Sequence, residues 1–210
     1  MRRLLPTFAI LLAMGALPAV ALGHAPSVIE TTTDSAAAAV VLEDPTLSRA
    51  IGATIEEPGE VDWYRMDLAA GDPLVVGMTA PDTHGAVAAT FTLVGPGLPP
   101  AEAAGPDAAA LALAAGVDGA VVFQPAAEPP REIHGGLGFI NYGNIRLEAP
   151  ADGAYYVAVE AVDPQATGKY VFAPGVREEF GAEAIEGMVD LVAFFNARFE
   201  PAGEDQANDS

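Results

Sequence analysis

Two segments, Glu60-Val-Asp-Trp-Tyr-Arg-Met-Asp-Leu68 and Gly153-Ala-Tyr-Tyr-Val-Ala-Val-Glu160, lie about ninety residues apart, and each reads as a strand rich in aromatic and β-branched residues. Each follows a turn signal built on Pro and Gly, Glu56-Glu57-Pro58-Gly59 before the first and Ala149-Pro150-Ala151-Asp152-Gly153 before the second. Alternation in the first sends Val61, Trp63, Arg65 and Asp67 one way and Asp62, Tyr64, Met66 and Leu68 the other. Tyr64, Met66 and Leu68 are expected to face a core, with Trp63 half covered on the opposite face.

Further strand patterns occur at Ala38–Leu42, Leu47–Ile51, Leu74–Thr79, Thr90–Val94, Ala120–Phe123, Ile145–Leu147 and Lys169–Ala173. Ala69-Ala-Gly-Asp72 reads as a turn that returns Leu74–Thr79 as the hairpin partner of Val61–Leu68. From Leu98 to Gly119 the composition shifts to Ala, Pro and Gly, and Asp107–Ala115 reads as a turn or two of helix or as loop. Ile133-His-Gly-Gly-Leu-Gly-Phe-Ile-Asn-Tyr-Gly143 is glycine-dense and aromatic, the composition of a surface loop. Beyond Gly175 the period changes: Ile185, Met188, Val189, Val192 and Phe195 recur as the stripe of one amphipathic helix, ended by Pro201. Its apolar stripe predicts packing on its own domain, with a docking helix for a partner as the other reading. Roughly eight strands with closely spaced turns predict an all-β, jelly-roll-like β-sandwich with one C-terminal amphipathic helix.

The N-terminus has a leader's three parts: Arg2 and Arg3, an apolar run from Leu4 to Val20, and small-residue cleavage sites at Ala19-Val-Ala21 or Ala21-Leu-Gly23. We read 1–23 as a signal peptide, with an uncleaved membrane anchor as the other reading of its apolar run, 24–37 as a linker or edge extension, 38–175 as the sandwich, 176–200 as the C-terminal helical segment and 201–210 as an acidic disordered tail. No later stretch is apolar enough to span a bilayer, so the expected location is extracytoplasmic, secreted or periplasmic, with no transmembrane segment after cleavage. Cysteine is absent, so stability has to come from apolar burial rather than cross-links. The chain carries 9 Lys plus Arg against 29 Asp plus Glu, and Lys169 is its only lysine. Such an acidic surface repels nucleic acid and anionic headgroups, which excludes both as partners.

Candidate chemistry is sparse. His84 and His134 each precede Gly in predicted loops, and His24 becomes the mature N-terminus if cleavage follows Gly23. Imidazoles on convergent loops, with Met78, are candidate ligands for copper or zinc, although exposed loop histidines are the commoner occurrence. Asp62, Asp67, Asp72 and Asp82 fall near strand ends, where clustered oxygens hold calcium, but no calcium-binding loop motif accompanies them. No Cys and no Gly-x-Ser-x-Gly offers a nucleophile, and no catalytic constellation is visible. Carboxylate pairs of the glycosidase kind are a third possibility among so many acids. Trp63, Tyr142, Tyr155 and Tyr156 could form a stacking platform for sugars or peptides, against the alternative of core packing. Tyr142, in its predicted loop, is the strongest exception to core packing.

Leu42-Glu-Asp-Pro45 through Ile55 and Gly59–Asp72, with Ala149–Val159 and Gly168–Phe172, resemble a pre-peptidase C-terminal domain over about 42–175, the middle diverging between 95 and 140. The resemblance implies a jelly-roll-like sandwich of the kind appended to exported enzymes, itself non-catalytic and in several cases associated with polymeric substrates or calcium. No enzyme domain accompanies it in this sequence, so a role as accessory to an attached enzyme does not carry over. The expected function is a secreted, non-enzymatic module that binds a polysaccharide or protein partner, with Trp63, Tyr142 and Tyr156 as ligand-binding residues. The alternative is an extracytoplasmic metal-binding protein using His84, His134 and His24.

Overall fold

The computed structural model describes residues 25–29, 33–134, 136–179 and 182–199; the leader, His24 and the acidic tail lie outside them. The two segments that open the sequence argument are hydrogen-bonded neighbours. Val61–Leu68 (β4) and Gly153–Ala161 (β10) pair antiparallel from Gly153 opposite Leu68 to Glu160 opposite Val61. Both sit in one sheet with Val40–Leu42 (β2), Ala89–Pro100 (β6) and Gly119–Val122 (β7), in the order β2-β4-β10-β6-β7.

The facing sheet holds Ala25–Val28 (β1), Arg49–Ile55 (β3), Pro73–Pro81 (β5), Arg131–His134 (β8), Leu137–Glu148 (β9) and Gly168–Pro174 (β11), in the order β1-β3-β11-β5-β9-β8. The inner quartets β3-β11-β5-β9 and β4-β10-β6-β7 reproduce the strand order of an eight-stranded jelly roll. The sheets are joined by an apolar interior in which Tyr64 stacks on Phe172 at 4.4 Å and Phe91 on Phe123 at 4.6 Å. Tyr64, Met66 and Leu68 point inward as the alternation requires.

Several local expectations change. Leu74–Thr79 is not the hairpin partner of Val61–Leu68, because β4 and β5 belong to opposite sheets. Ala69–Asp72 therefore forms an arch, and the β9–β10 connection forms a second arch beside it. The arches are tied by Gly71 N–H to Ala149 O (2.8 Å), Ala149 N–H to Asp72 O (2.8 Å) and Ala70 N–H to Asp152 Oδ1 (2.7 Å). A turn motif alone does not say whether the returning strand stays in its sheet or crosses. The glycine-dense 133–143 stretch is not a loop but the end of β8 and the start of β9, turning at Gly136, whose φ is +86°. Residues 25–28, within the predicted linker, make a parallel edge strand against β3, the edge-extension reading.

Helices cover both outer faces. Ala101–Ala104 (α1) and Pro106–Ala115 (α2) lie between β6 and β7 and pack on the five-stranded sheet. Pro at the start of α2 and left-handed Gly116 (φ +72°) at its end are the expected start and stop signals. Ala182–Asn196 (α3) lies on the six-stranded sheet. Its buried face is Leu191 and Phe195 with half-buried Phe194, whereas Val189, placed on the stripe by the sequence pattern, is 65% exposed.

Candidate binding face

The period-two rule fixes which side chains leave the sandwich on the outside of the five-stranded sheet. In-register residues of neighbouring strands share a face, so Val41, Arg65 and Tyr156 form one row across β2, β4 and β10, continuing to Val94 on β6. The next row runs from Trp63 to Ala158 and Thr92. Helices α1 and α2 cover the β6–β7 side of this face. Val94, Ala158 and Ala120 are buried beneath Ala101, Ala108 and Ala112, and Ala36 of the short 36–38 turn packs beside Trp63 on β4, while the row through Val41 and Arg65 stays open.

Trp63 and Tyr156 are brought together, their rings edge to face at 6.4 Å and 76°. Their accessibility differs sharply. Trp63 is not half covered as the alternation predicts but only 3% exposed, because Ala36 of the 36–38 turn and the alanines of α1 and α2 enclose it together. Tyr156 is half-buried, at the border of that cover. Arg65 lies over the Tyr156 ring, 6.0 Å from its centroid, and Asp67 holds the guanidinium through Nε at 3.0 Å and Nη2 at 2.8 Å. Val41, 54% exposed, completes an open strip carrying an aliphatic group, a fixed cation and an aromatic ring.

Tyr142 is not part of this strip. It sits in β9 on the other sheet, is 9% exposed and packs into the sandwich interior, where burial raises its phenol pKa. Tyr155 points inward as well. Its hydroxyl lies 2.8 Å from Ala151 O and 3.0 Å from Pro96 O, which ties the β9–β10 arch to β6.

Of the histidines, His84 is exposed in the turn after β5, His134 closes β8 with its side chain outside the described set, and His24 lies outside the described residues. Met78 is fully buried between the sheets and does not accompany His84. Among the described residues no group of three or more His, Asp or Glu side chains converges as a metal site would require. The four aspartates weighed for calcium are engaged separately. Asp67 holds Arg65, Asp72 Oδ2 accepts from Ala69 N–H at 2.8 Å, and Asp82 faces Arg131 at 3.2 Å. Asp62 is fully buried, where its Oδ2 accepts from the Tyr170 hydroxyl at 2.6 Å; the Tyr64 hydroxyl lies 2.7 Å from that of Tyr170. Burial raises the pKa of both tyrosines, so the two phenols keep their protons and, with Asp62, span the two sheets as a hydrogen-bonded tie.

One carboxylate on the face titrates above its usual range. Glu160 is raised first by burial and then by the charge of Asp107, at the start of α2.

Sequence reasoning missed Arg65 as the partner of Tyr156, although the alternation already placed it on the Trp63 face. It also missed that the Ala-rich 98–119 stretch, together with Ala36, would cover Trp63. The signal was present there: small residues are what a helix needs to approach a sheet that carries a tryptophan. A scan against protein-family models finds no match for this chain, and a search of curated proteins finds none either.

Proposed function

We propose that the protein is a secreted, non-catalytic β-sandwich module that binds a polymer or protein partner outside the cytoplasm through the open half of its five-stranded sheet. The observation that carries this reading is the Val41–Arg65–Tyr156 row: three in-register side chains from three strands, exposed or half-exposed, with Arg65 over the Tyr156 ring. A row of this kind suits an extended ligand laid across the strands. Tyr156 offers an amphipathic ring for stacking and Arg65 a cation already oriented by Asp67. The net charge of −20 disfavours polyanions, so the reading favours a neutral polysaccharide or an uncharged stretch of protein.

The likeness to a pre-peptidase C-terminal domain is part of the same proposal. Its two sequence halves correspond to β4 with the first arch and to the second arch with β10, which pack against each other here. The leader-like 1–23 segment supports export.

The test is co-sedimentation with insoluble cellulose, chitin and gelatin, comparing wild type with Tyr156→Ala and Arg65→Ala. Retention on one polymer that falls about tenfold in Tyr156→Ala, the loss of one stacking contact, supports the face. Retention unchanged in both variants, or no retention on any of the three, counts against it.

A further inference from the structure

We propose that α3 is a strap that opens as one unit from the six-stranded sheet while the sandwich stays folded, and that Lys169 is the latch holding it. The apolar contacts of α3 form a cluster of Val171, Leu191 and Phe195 with Val28, Phe139 and Phe194 around them. None of these belongs to the cluster between the sheets, so lifting α3 leaves the interior packing intact. Cooperative units separate where contacts divide in this way.

The seat is close and specific. A Cβ on Gly187 would lie 1.9 Å from Pro26 O of β1, and one on Gly52 would lie 2.9 Å from the Phe194 ring. Helix and sheet therefore meet backbone to backbone at one point and ring to backbone at another. The C-terminal end of α3 is held differently. The Lys169 ammonium donates to the carbonyls of Phe194 and Ala197 and lies 5.0 Å from the Phe194 ring centroid. Lys169 is 4% exposed, so the only lysine of the chain is spent on the last turn of this helix. At the other end, the backbone N–H groups of Val176 and Arg177 both donate to Thr46 O (2.9 and 2.8 Å), and the Arg177 guanidinium pairs with Asp44 and Glu179. Release stops at that anchor. A helix of 15 residues has little stability in water by itself, so α3 frays once it leaves the sheet.

Hydrogen exchange read by mass spectrometry on the full chain tests this. The amides of 186–196 are expected to exchange at least about a hundredfold faster than those of β10, and Lys169→Met to speed α3 about tenfold further with β10 unchanged. Equal protection of α3 and β10 in the wild type, or equal acceleration of both in Lys169→Met, overturns the proposal. If Lys169→Met does not fold, the wild-type difference between α3 and β10 decides it alone.

Discussion

The two outer faces are covered by helices in opposite ways. On the five-stranded sheet the bulk comes from the sheet: Trp63 and Val94 rise from it, and α1 and α2 meet them with Ala101, Ala108 and Ala112. On the six-stranded sheet the bulk comes from the helix: Leu191, Phe194 and Phe195 descend onto Ala50, Gly52 and Val171. Connectivity differs too. The α1–α2 pair is inserted between β6 and β7, whereas α3 follows β11 and no described strand comes after it. A cover inserted within a sheet shares the stability of the whole fold. A cover packed outside the sheets' shared interior contributes mainly its own docking energy.

Truncation of the bulk on each side should expose that asymmetry and is the largest expected effect. Trp63→Ala removes a nearly fully buried indole from beneath its alanine cover. A loss of about 3–5 kcal/mol in urea-induced unfolding is expected, the usual range for such a change in a core. Phe195→Ala removes a side chain of similar burial, yet its effect on the global transition is expected to stay below about 1 kcal/mol, because opening of α3 limits the loss. Equal losses in the two variants would show that both covers belong to one cooperative unit.

The asymmetry also explains how far the sequence could be read. The sandwich was legible because alternation is a local property: Tyr64, Met66 and Leu68 face inward as the 61–68 pattern requires. Which sheet each strand joins is not local, and so Leu74–Thr79 was assigned to the wrong neighbour. On α3, Phe195 was read correctly, but Val189 is exposed and Leu191 is buried. Helical spacing allows several stripes in an apolar-rich segment, and the choice was made by Gly187 and Gly52, whose missing side chains set where the helix can touch the sheet. Tyr142 was misplaced because glycines in 133–143 resemble loop composition, although they serve a hairpin and its neighbours. Of the four aromatics grouped by the sequence reading, Trp63 and Tyr156 share the outer face of the five-stranded sheet, whereas Tyr142 and Tyr155 point into the interior, and the cover over Trp63 is not legible in the alternation.

Gly187→Ala is the next test in size. In most exposed helix positions replacing glycine by alanine stabilises by about 0.5–1 kcal/mol. In α3 the new methyl would lie 1.9 Å from a backbone oxygen, which cannot rotate away. Helix propensity therefore rises while the seat is lost. Faster exchange and easier proteolysis confined to 182–199 are expected, with the near-ultraviolet circular dichroism of the sandwich retained. A uniformly stabilised chain would mean that α3 does not rest on β1. Gly52→Ala should act in the same direction but less, because the Phe194 ring it meets can move.

The smallest effect is the pH dependence of the latch, and its sign discriminates between two forces. Burial holds the Lys169 ammonium below the ordinary lysine value of 10.5, so between the folded value and 10.5 the unfolded chain binds more protons. Stability of α3 docking should then rise with pH across that window. Carbonyl bonding at the helix end acts the other way, since it favours the charged form; were it dominant, docking would weaken as pH rises. The buried tyrosines complicate a direct reading. Tyr64 and Tyr170 have folded values above the ordinary 10.0, so their contribution is present below 10.0 and is lost as pH rises past it. Subtracting the profile of Lys169→Met removes the tyrosine term, because both tyrosines lie between the sheets and Lys169 lies outside them. The difference between wild type and variant should climb from the lowered folded value up to 10.5, read from exchange of the α3 amides after correction for intrinsic rates. A difference that falls over this range would show that the helix carbonyls outweigh desolvation, and that the latch tightens with its charge.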